Sequence, residues 1–169
     1  IFRNTPQWFI SMEANNLRQK ALAGIGKTRF VPERGKNRIG AMVEQRGDWC
    51  VSRQRVWGVP LAIFIDKKTG EPLRDPKVLK CIIDIFEKDG SEAWFDRPAS
   101  DFLGADYKAD DFEQVRDIVD VWMESGVTQE FVLRQRPELA WPADLYLEGS
   151  DQHRGWFQSS LKTSVAMRG

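Results

Sequence analysis

The sequence is short of several things, and each shortage closes off a class of chemistry. It has two cysteines, Cys50 and Cys81, far apart, with neither a CxxC spacing nor a histidine close by. No zinc site is evident from that pattern, and reduced cytosolic thiols fit it better than a disulfide framework. There is one histidine, His153. No run approaches the roughly eighteen apolar residues that a membrane span needs. Residues 1–10 place Arg3, Asn4, Pro6 and Gln7 where the apolar core of a signal peptide would stand, so none is expected. The first residue is not methionine, and the expectation is a piece of a longer protein. Internal repeats and low-complexity linkers are missing too. Net charge is zero, with 25 Lys/Arg against 25 Asp/Glu.

What is present is globular. The 169 residues are 41% hydrophobic and 30% charged, with seven tryptophans, a length that suits one domain. The zero net charge hides an asymmetry. Residues 1–60 carry 11 Lys/Arg and 4 Asp/Glu, and the remainder carries 14 against 21. A basic third suggests a polyanion such as RNA as partner; the plainer reading is a solvated face balanced by the acidic remainder.

Taken in order, residues 8–23 space Trp8, Phe9, Met12, Leu17, Ala21 and Leu22 as an amphipathic helix that Gly24 and Gly26 should end. Residues 28–31 read as extended, residues 34–38 as a polar turn, and residues 39–45 as a short helix capped by Asn37. Residues 48–60 hold Trp49, Trp57, Arg53, Arg55 and a Gly58-Val59-Pro60 exit. Such indoles either stack on a ligand or fill a core, and core is the commoner fate. Residues 61–73 predict a β-hairpin turning at residues 66–71. Asp75-Pro76 is an N-cap with proline at N1, opening a helix to about Lys88 with Val78, Leu79, Ile82, Ile83 and Phe86 on one face and Gly90 as its stop. Residues 92–95 and 100–103 are short pieces, the second one helical turn. Residues 112–126 are ambiguous, with Ile118, Val119, Val121 and Trp122 strand-like.

The C-terminal stretch, residues 141–169, organises the rest. Residues 143–147 look like a strand covered on both faces, stopping at Glu148, Gly149, Ser150 and Asp151. Trp156, Phe157, Leu161 and Val165 then fall at helical spacing, with Ser150 or Asp151 available as N-cap. A strand that stops in carboxylates and a glycine before a helix is where open α/β sheets bind ligands. His153 with Ser150 invites a hydrolase reading, but a nucleophile elbow needs Gly-x-Ser-x-Gly, and Ser150 directly follows Gly149. Support of the helix start is the better account of His153.

Four stretches together resemble the isoleucyl-tRNA synthetases, a class I aminoacyl-tRNA synthetase family. They are Arg3-Asn4-Thr5-Pro6-Gln7-Trp8-Phe9; Asp48-Trp49-Cys50-Val51-Ser52-Arg53-Gln54-Arg55-Val56-Trp57-Gly58-Val59-Pro60; Asp120-Val121-Trp122-Met123-Glu124-Ser125-Gly126; and Tyr146-Leu147-Glu148-Gly149-Ser150-Asp151-Gln152-His153-Arg154-Gly155-Trp156-Phe157. Their order is the family's order, and the resemblance spans the chain with a divergent middle over residues 66–117. Met123 and Glu124 depart from the family's Phe and Asp. The family's HIGH and KMSKS motifs do not occur.

The resemblance implies an α/β fold: part of a Rossmann-type catalytic domain plus an α+β connective insertion. Residues 1–47 would end the connective peptide, residues 48–140 continue the insertion, and residues 141–169 begin the second catalytic half. It implies a fragment of an enzyme that activates isoleucine with ATP and transfers it to tRNA(Ile), the segment alone being inactive. Glu148, Gly149, Asp151 and Gln152 would bind the aminoacyl-adenylate, with Gln152 orienting the amino group. Trp57 and Trp156 would wall the isoleucine side chain, and Ser150 and His153 would support the motif. Flat apolar walls reject valine poorly: one missing methylene is worth about 1–3 kcal/mol, a limit that isoleucine activation itself exemplifies. ATP with Mg2+ would serve the full-length enzyme, with neither held by motifs in this segment and no metal site. The expected setting is cytoplasmic, monomeric and without a membrane. A valyl- or leucyl-type ligase fragment, and a free-standing RNA-binding module, are the competing readings.

Overall fold

The computed structural model describes residues 4–169, so Arg3 of the first motif lies outside the described residues. In chain order the elements are β1 (Phe9–Ile10), α1 (Leu17–Lys27), α2 (Arg34–Glu44), β2 (Trp49–Cys50), β3 (Ser52–Arg53), β4 (Phe64–Asp66) and α3 (Pro76–Asp89). They continue with α4 (Ala93–Asp96), α5 (Ala99–Leu103), β5 (Phe112–Gln114), β6 (Ile118–Val119), α6 (Val121–Gly126) and α7 (Trp156–Arg168). The chain is therefore α/β. Its described strands pair antiparallel: β1 with β2, β3 with β6, β4 with β5. It divides into two compact units, one continuous over Ser52–Val119 and one discontinuous, made of the residues up to Val51 and Asp120–Gly169.

The continuous unit is built around aromatic rings. Phe64, Trp94, Phe102 and Phe112 are buried with Val78, Ile82 and Leu103. Trp94 lies 4.9 Å from the ring centre of Phe64 and 5.0 Å from that of Phe102, and its indole N–H donates to the Val115 carbonyl at 2.7 Å. The hairpin forms as the sequence predicts. Ile65 bridges Pro72, and the Asp66 N–H donates to the Glu71 carbonyl. Asp75 caps α3, its Oδ1 accepting from the Lys77 N–H at 2.8 Å, and Gly90 ends the helix at φ +83°. The buried stripe is narrower than expected: Val78 and Ile82 are inside, whereas Leu79 and Ile83 are exposed. A helix on one small core can bury only the positions that face it.

In the discontinuous unit α1 and α2 pack around Met12, Leu17, Ala21, Ile25, Ile39 and Val43, with Phe157, Leu161 and Val165 of α7 closing over them. Several expectations fail here. The helix foreseen over residues 8–23 starts only at Leu17. Residues 9–10 join β2 instead, and Asn15 and Asn16 take left-handed φ values of 52° and 57°, which asparagine tolerates better than most residues. Gly24 and Gly26 do not stop α1. It runs to Lys27, and Gly24 lets Leu161 approach, since a Cβ there would lie 3.3 Å from its Cδ1. Residues 34–38 are the first turns of α2 and not a polar turn, so Asn37 is no cap.

The ambiguous residues 112–126 divide at Asp120. β5 and β6 precede it, and α6 follows, so Val121 and Trp122 are helical. Asp120 Oδ1 accepts the Trp122 N–H at 3.3 Å, which turns the chain out of the extended conformation. Residues 143–147 are not a strand and not covered. They are irregular, with Leu145 75% and Leu147 78% exposed. A strand hidden on both faces needs strand neighbours and covering helices, and none pairs with residues 143–147 among the described residues.

Candidate functional site

The discontinuous unit gathers most of the four sequence motifs. β1 of the first motif pairs with β2 of the second, and the Val51 N–H donates to the Trp8 carbonyl. Trp49 is buried, and its indole N–H donates to Asp120 Oδ2 of the third motif at 2.9 Å. Short helix α6 then lies across α7 of the fourth. Gly126 permits this contact, because a Cβ there would sit 3.0 Å from the Ser159 backbone. The Ser125 carbonyl accepts the Trp156 indole N–H at 2.9 Å, and the Gly126 carbonyl accepts the Thr163 hydroxyl.

The fourth motif folds as a 3-10 turn over Ser150–Arg154, a break at Gly155, and then α7. Neither Ser150 nor Asp151 caps α7. Gln152 does, its Oε1 accepting the Trp156 N–H at 2.9 Å while its Nε2 donates to Asp151 Oδ2 at 3.1 Å. A Cβ on Gly155 would stand 2.5 Å from that same Oε1, and one on Gly149 would stand 2.6 Å from Asp151 Oδ1. Both glycines therefore make room for the polar side chains beside them. His153 is buried; its Nδ1–H donates to the Ser150 carbonyl at 2.7 Å, and its ring meets Phe157 edge-on at 5.3 Å. Nε2 faces Gly35 of α2, where a Cβ would approach to 2.9 Å. Those contacts make His153 a spacer that holds the turn.

Of the expected site residues, Gly149, Asp151, Gln152 and Trp156 come together here, with Ser150 and His153 in support. Glu148, Gly149, Ser150 and Asp151 are exposed. Trp57 belongs to the continuous unit and is 80% exposed, so it is not a core indole, whereas Trp49 is. Tyr146 was not singled out from sequence. It stacks on Trp156 at 4.2 Å and 17°, giving the half-buried indole a second aromatic plane. Burial raises its phenol pKa, against a hydrogen bond with Ser160.

Lys162 was missed as well. It is 3% exposed, and its ammonium sits 3.7 Å from the ring centre of Trp49. Desolvation, then Arg46 nearby, push its pKa down to about 7, with Asp120 pulling the other way. The available signal was its place among small residues, Ser159, Ser160, Thr163 and Ser164, which mark a closely packed helix. Among the described residues, no group of three or more His, Cys, Asp or Glu is placed to hold a metal, and no helix is long and apolar enough to cross a membrane.

The family model for class I tRNA synthetases (I, L, M and V) matches residues 1–169. The chain belongs to the class I tRNA synthetases. Among curated relatives of this synthetase segment, it is 57% identical over 169 residues to an isoleucine–tRNA ligase of Pelagibacter ubique, covering 100% of this chain and 19% of that protein. It is 55% identical over 176 residues to the one of Caulobacter vibrioides, covering 100% and 18%. For the one of Acinetobacter baylyi the figures are 57% over 169 residues, 99% and 18%. The segment thus spans about a fifth of the length of the relatives it matches.

Proposed function

We propose that this chain is a segment of an isoleucine–tRNA ligase and forms one wall of its aminoacyl-adenylate site. The observation that carries the reading is the Asp151–Gln152–Trp156–Tyr146 constellation, partly exposed at the start of α7, in a chain so similar to ligases of that name. Polar groups fixed beside a flat aromatic wall suit a ligand with an ammonium and hydroxyls at one end and a branched aliphatic side chain at the other. Glu148 and Asp151 supply acceptors for those hydroxyls and that ammonium. Gly149 lets the backbone come close. Gln152, already anchored at both ends of its amide, orients the amino group from a fixed position. Trp156 walls the side chain.

The same reading accounts for residues 143–147. Two exposed leucines on this irregular stretch fit a segment that becomes a Rossmann-type strand once neighbours from other parts of a longer protein pair with it, so residues 141–169 begin the second catalytic half. Residues 1–47 and 48–140 are then the end of the connective peptide and the remaining insertion. ATP, isoleucine and tRNA(Ile) are the substrates in this proposal, and the setting is a monomeric cytoplasmic enzyme. Magnesium, which ATP chemistry commonly uses, finds no ligand set among the described residues, and no step is assigned to it. The chain's own contribution is positioning and hydrogen bonding.

Isoleucine-dependent ATP–pyrophosphate exchange tests the reading in the full-length protein. Trp156→Ala should raise the KM for isoleucine about tenfold or more, with a smaller change in the KM for ATP. An unchanged KM for isoleucine removes that tryptophan from the pocket. Exchange activity in the isolated segment would overturn the claim that it supplies only one wall.

A further inference from the structure

The third and fourth motifs meet where α6 lies on α7, and the contact reaches the wall indole. A helix leaves the carbonyls of its last turn to be answered from outside. On α6, α7 answers two of them. The Trp156 indole N–H donates to the Ser125 carbonyl at 2.9 Å, and the Thr163 hydroxyl donates to the Gly126 carbonyl at 2.5 Å. Trp156 and Thr163 are seven residues apart, two helical turns, so they share one face of α7. The two helices touch closely on that face. The Trp122 ring edge packs on Gly155, where a Cβ would stand 3.0 Å from it, and Gly126 packs on Ser159.

Thr163 has one proton to give and three acceptors in reach. The Gly126 carbonyl is the nearest; those of Ser159 and Ser160, on its own helix, lie at 3.0 and 3.1 Å. Gln129 Nε2 donates to the same hydroxyl oxygen at 3.4 Å. That bond occupies a lone pair of the hydroxyl and strengthens it as a donor. Thr163 and Gln129 are both buried, so bulk water does not replace either bond. The Ser125 carbonyl has a second donor, the Thr128 hydroxyl at 2.6 Å. Thr128 belongs to the turn that leaves α6 and travels with it. Thr163 stands on α7 with the indole, and a bond from one helix to the other is what fixes their relative position.

We propose that Thr163 is a positioning residue for Trp156: its hydroxyl holds the last turn of α6 on α7 and so fixes the Ser125 carbonyl on which the indole is aligned. The consequence for amino-acid binding rests on the reading of Trp156 as the pocket wall. A flat ring offers its full area to a branched side chain in one orientation, and a ring free to turn loses part of that contact.

The test uses the full-length protein with 15N-indole-labelled tryptophan, the Trp156 resonance being assigned by its loss in Trp156→Phe. Thr163→Val keeps the shape and removes the hydroxyl; Thr163→Ser keeps the hydroxyl. Thr163→Val should shift the Trp156 indole resonance and speed its exchange with solvent. It should also raise the KM for isoleucine about fivefold, the factor one hydrogen bond is worth, with kcat and the KM for ATP little changed. Thr163→Ser should restore both readouts. In the Trp156→Phe background, which has no indole N–H, Thr163→Val should add little, because the two substitutions act through one contact. Gly126→Ala reaches the same contact by shape alone and stands in should Thr163→Val not fold. Alanine favours a helix, but its Cβ would lie 3.0 Å from the Ser159 backbone, so the Trp156 resonance should shift there too. Three results would overturn the proposal: a Trp156 resonance unmoved by these substitutions, a Ser variant as impaired as the Val one, or a Thr163→Val effect on KM that persists undiminished in the Trp156→Phe background. A shifted resonance together with an isoleucine KM indifferent to Trp156→Ala upholds the positioning role and overturns the pocket reading instead.

Discussion

The two units bury their interiors in opposite ways. The continuous unit closes Ser52–Val119 over stacked aromatic rings, with Trp94 and Phe102 fully buried. The discontinuous unit joins two distant parts of the chain. Its aliphatic core is flanked by a helix whose inner positions are polar: Gln158, Ser159, Ser160, Lys162 and Thr163 of α7 are all buried. Apolar burial stabilises without regard to direction. Buried polar groups stabilise only where each finds a partner, and then they fix geometry. The candidate site residues with the most defined geometry, Gln152 and Trp156, stand on that polar helix or its cap. The difference is one between a unit built for burial and a unit built for position.

The largest test of this contrast is Trp94→Ala. It removes a wholly buried indole and the hydrogen bond to the Val115 carbonyl. A loss of about 3–5 kcal/mol is expected for a buried tryptophan cut to alanine. Hydrogen exchange in the full-length protein should show it as faster exchange across Pro76–Asp89, whose face packs on that ring cluster. Amides of α7 should hold their rates if each unit opens by itself. Equal acceleration in α7 would break the contrast.

Next in size is Lys162→Met, which should act in the opposite direction. A buried ammonium over the Trp49 ring, with Arg46 near it, is a charge held against its desolvation cost. Replacing a buried ion by an apolar side chain of similar volume is often neutral to stabilising by about 1–4 kcal/mol. The pH dependence gives the sign. In the folded chain this lysine titrates at about 7, below the roughly 10.4 of a free lysine. Between those values the unfolded chain binds more protons, so this group's contribution to stability rises with pH over that window. Below about 7 both states are protonated and the penalty is fully present. Lys162→Met should abolish the rise. If parent and variant share one pH profile of α7 exchange, the lysine is not a strained cation.

The same contrast explains what could be read from sequence. In the continuous unit the signals are local: a hairpin turn, the Asp75-Pro76 cap, the Gly90 stop. Each needs only neighbours in the chain, and each forms as expected. In the discontinuous unit the decisive contacts cross long stretches of sequence. Nothing near Gly24 says that Leu161 will lie against it, and nothing near Gly126 says that Ser159 will. Both look like helix breakers or turn residues until the facing helix is in place. The site motif was legible as a string, because its residues are contiguous. Its geometry was not: the cap at α7 is a side-chain contact from Gln152, three residues before Gly155, where a serine or aspartate at the turn was the simpler choice. Residues 143–147 failed for a different reason. Their pattern is that of a covered strand, and among the described residues no strand pairs with them.

The smallest expected effect returns to the continuous unit and its surface. Asp75 caps α3 and also accepts the Tyr107 hydroxyl at 2.7 Å. The Tyr107 bond, then the Lys77 N–H, hold its carboxyl below the usual aspartate range. For an acid so depressed, the stabilising contribution is present above the unfolded pKa and fades as pH falls through the folded one. Asp75→Asn keeps an acceptor for the helix N–H but has no charge to lose. The parent should therefore show a modest acid-side rise in exchange over the first turn of α3, and the Asn variant should lack it. The two chains should converge at the acid end, because protonation of Asp75 removes the same charge that the substitution does. A persistent gap there would mean that the Tyr107 contact acts through shape and not through charge, placing this surface cap closer in kind to the polar packing of α7 than to the apolar core beneath it.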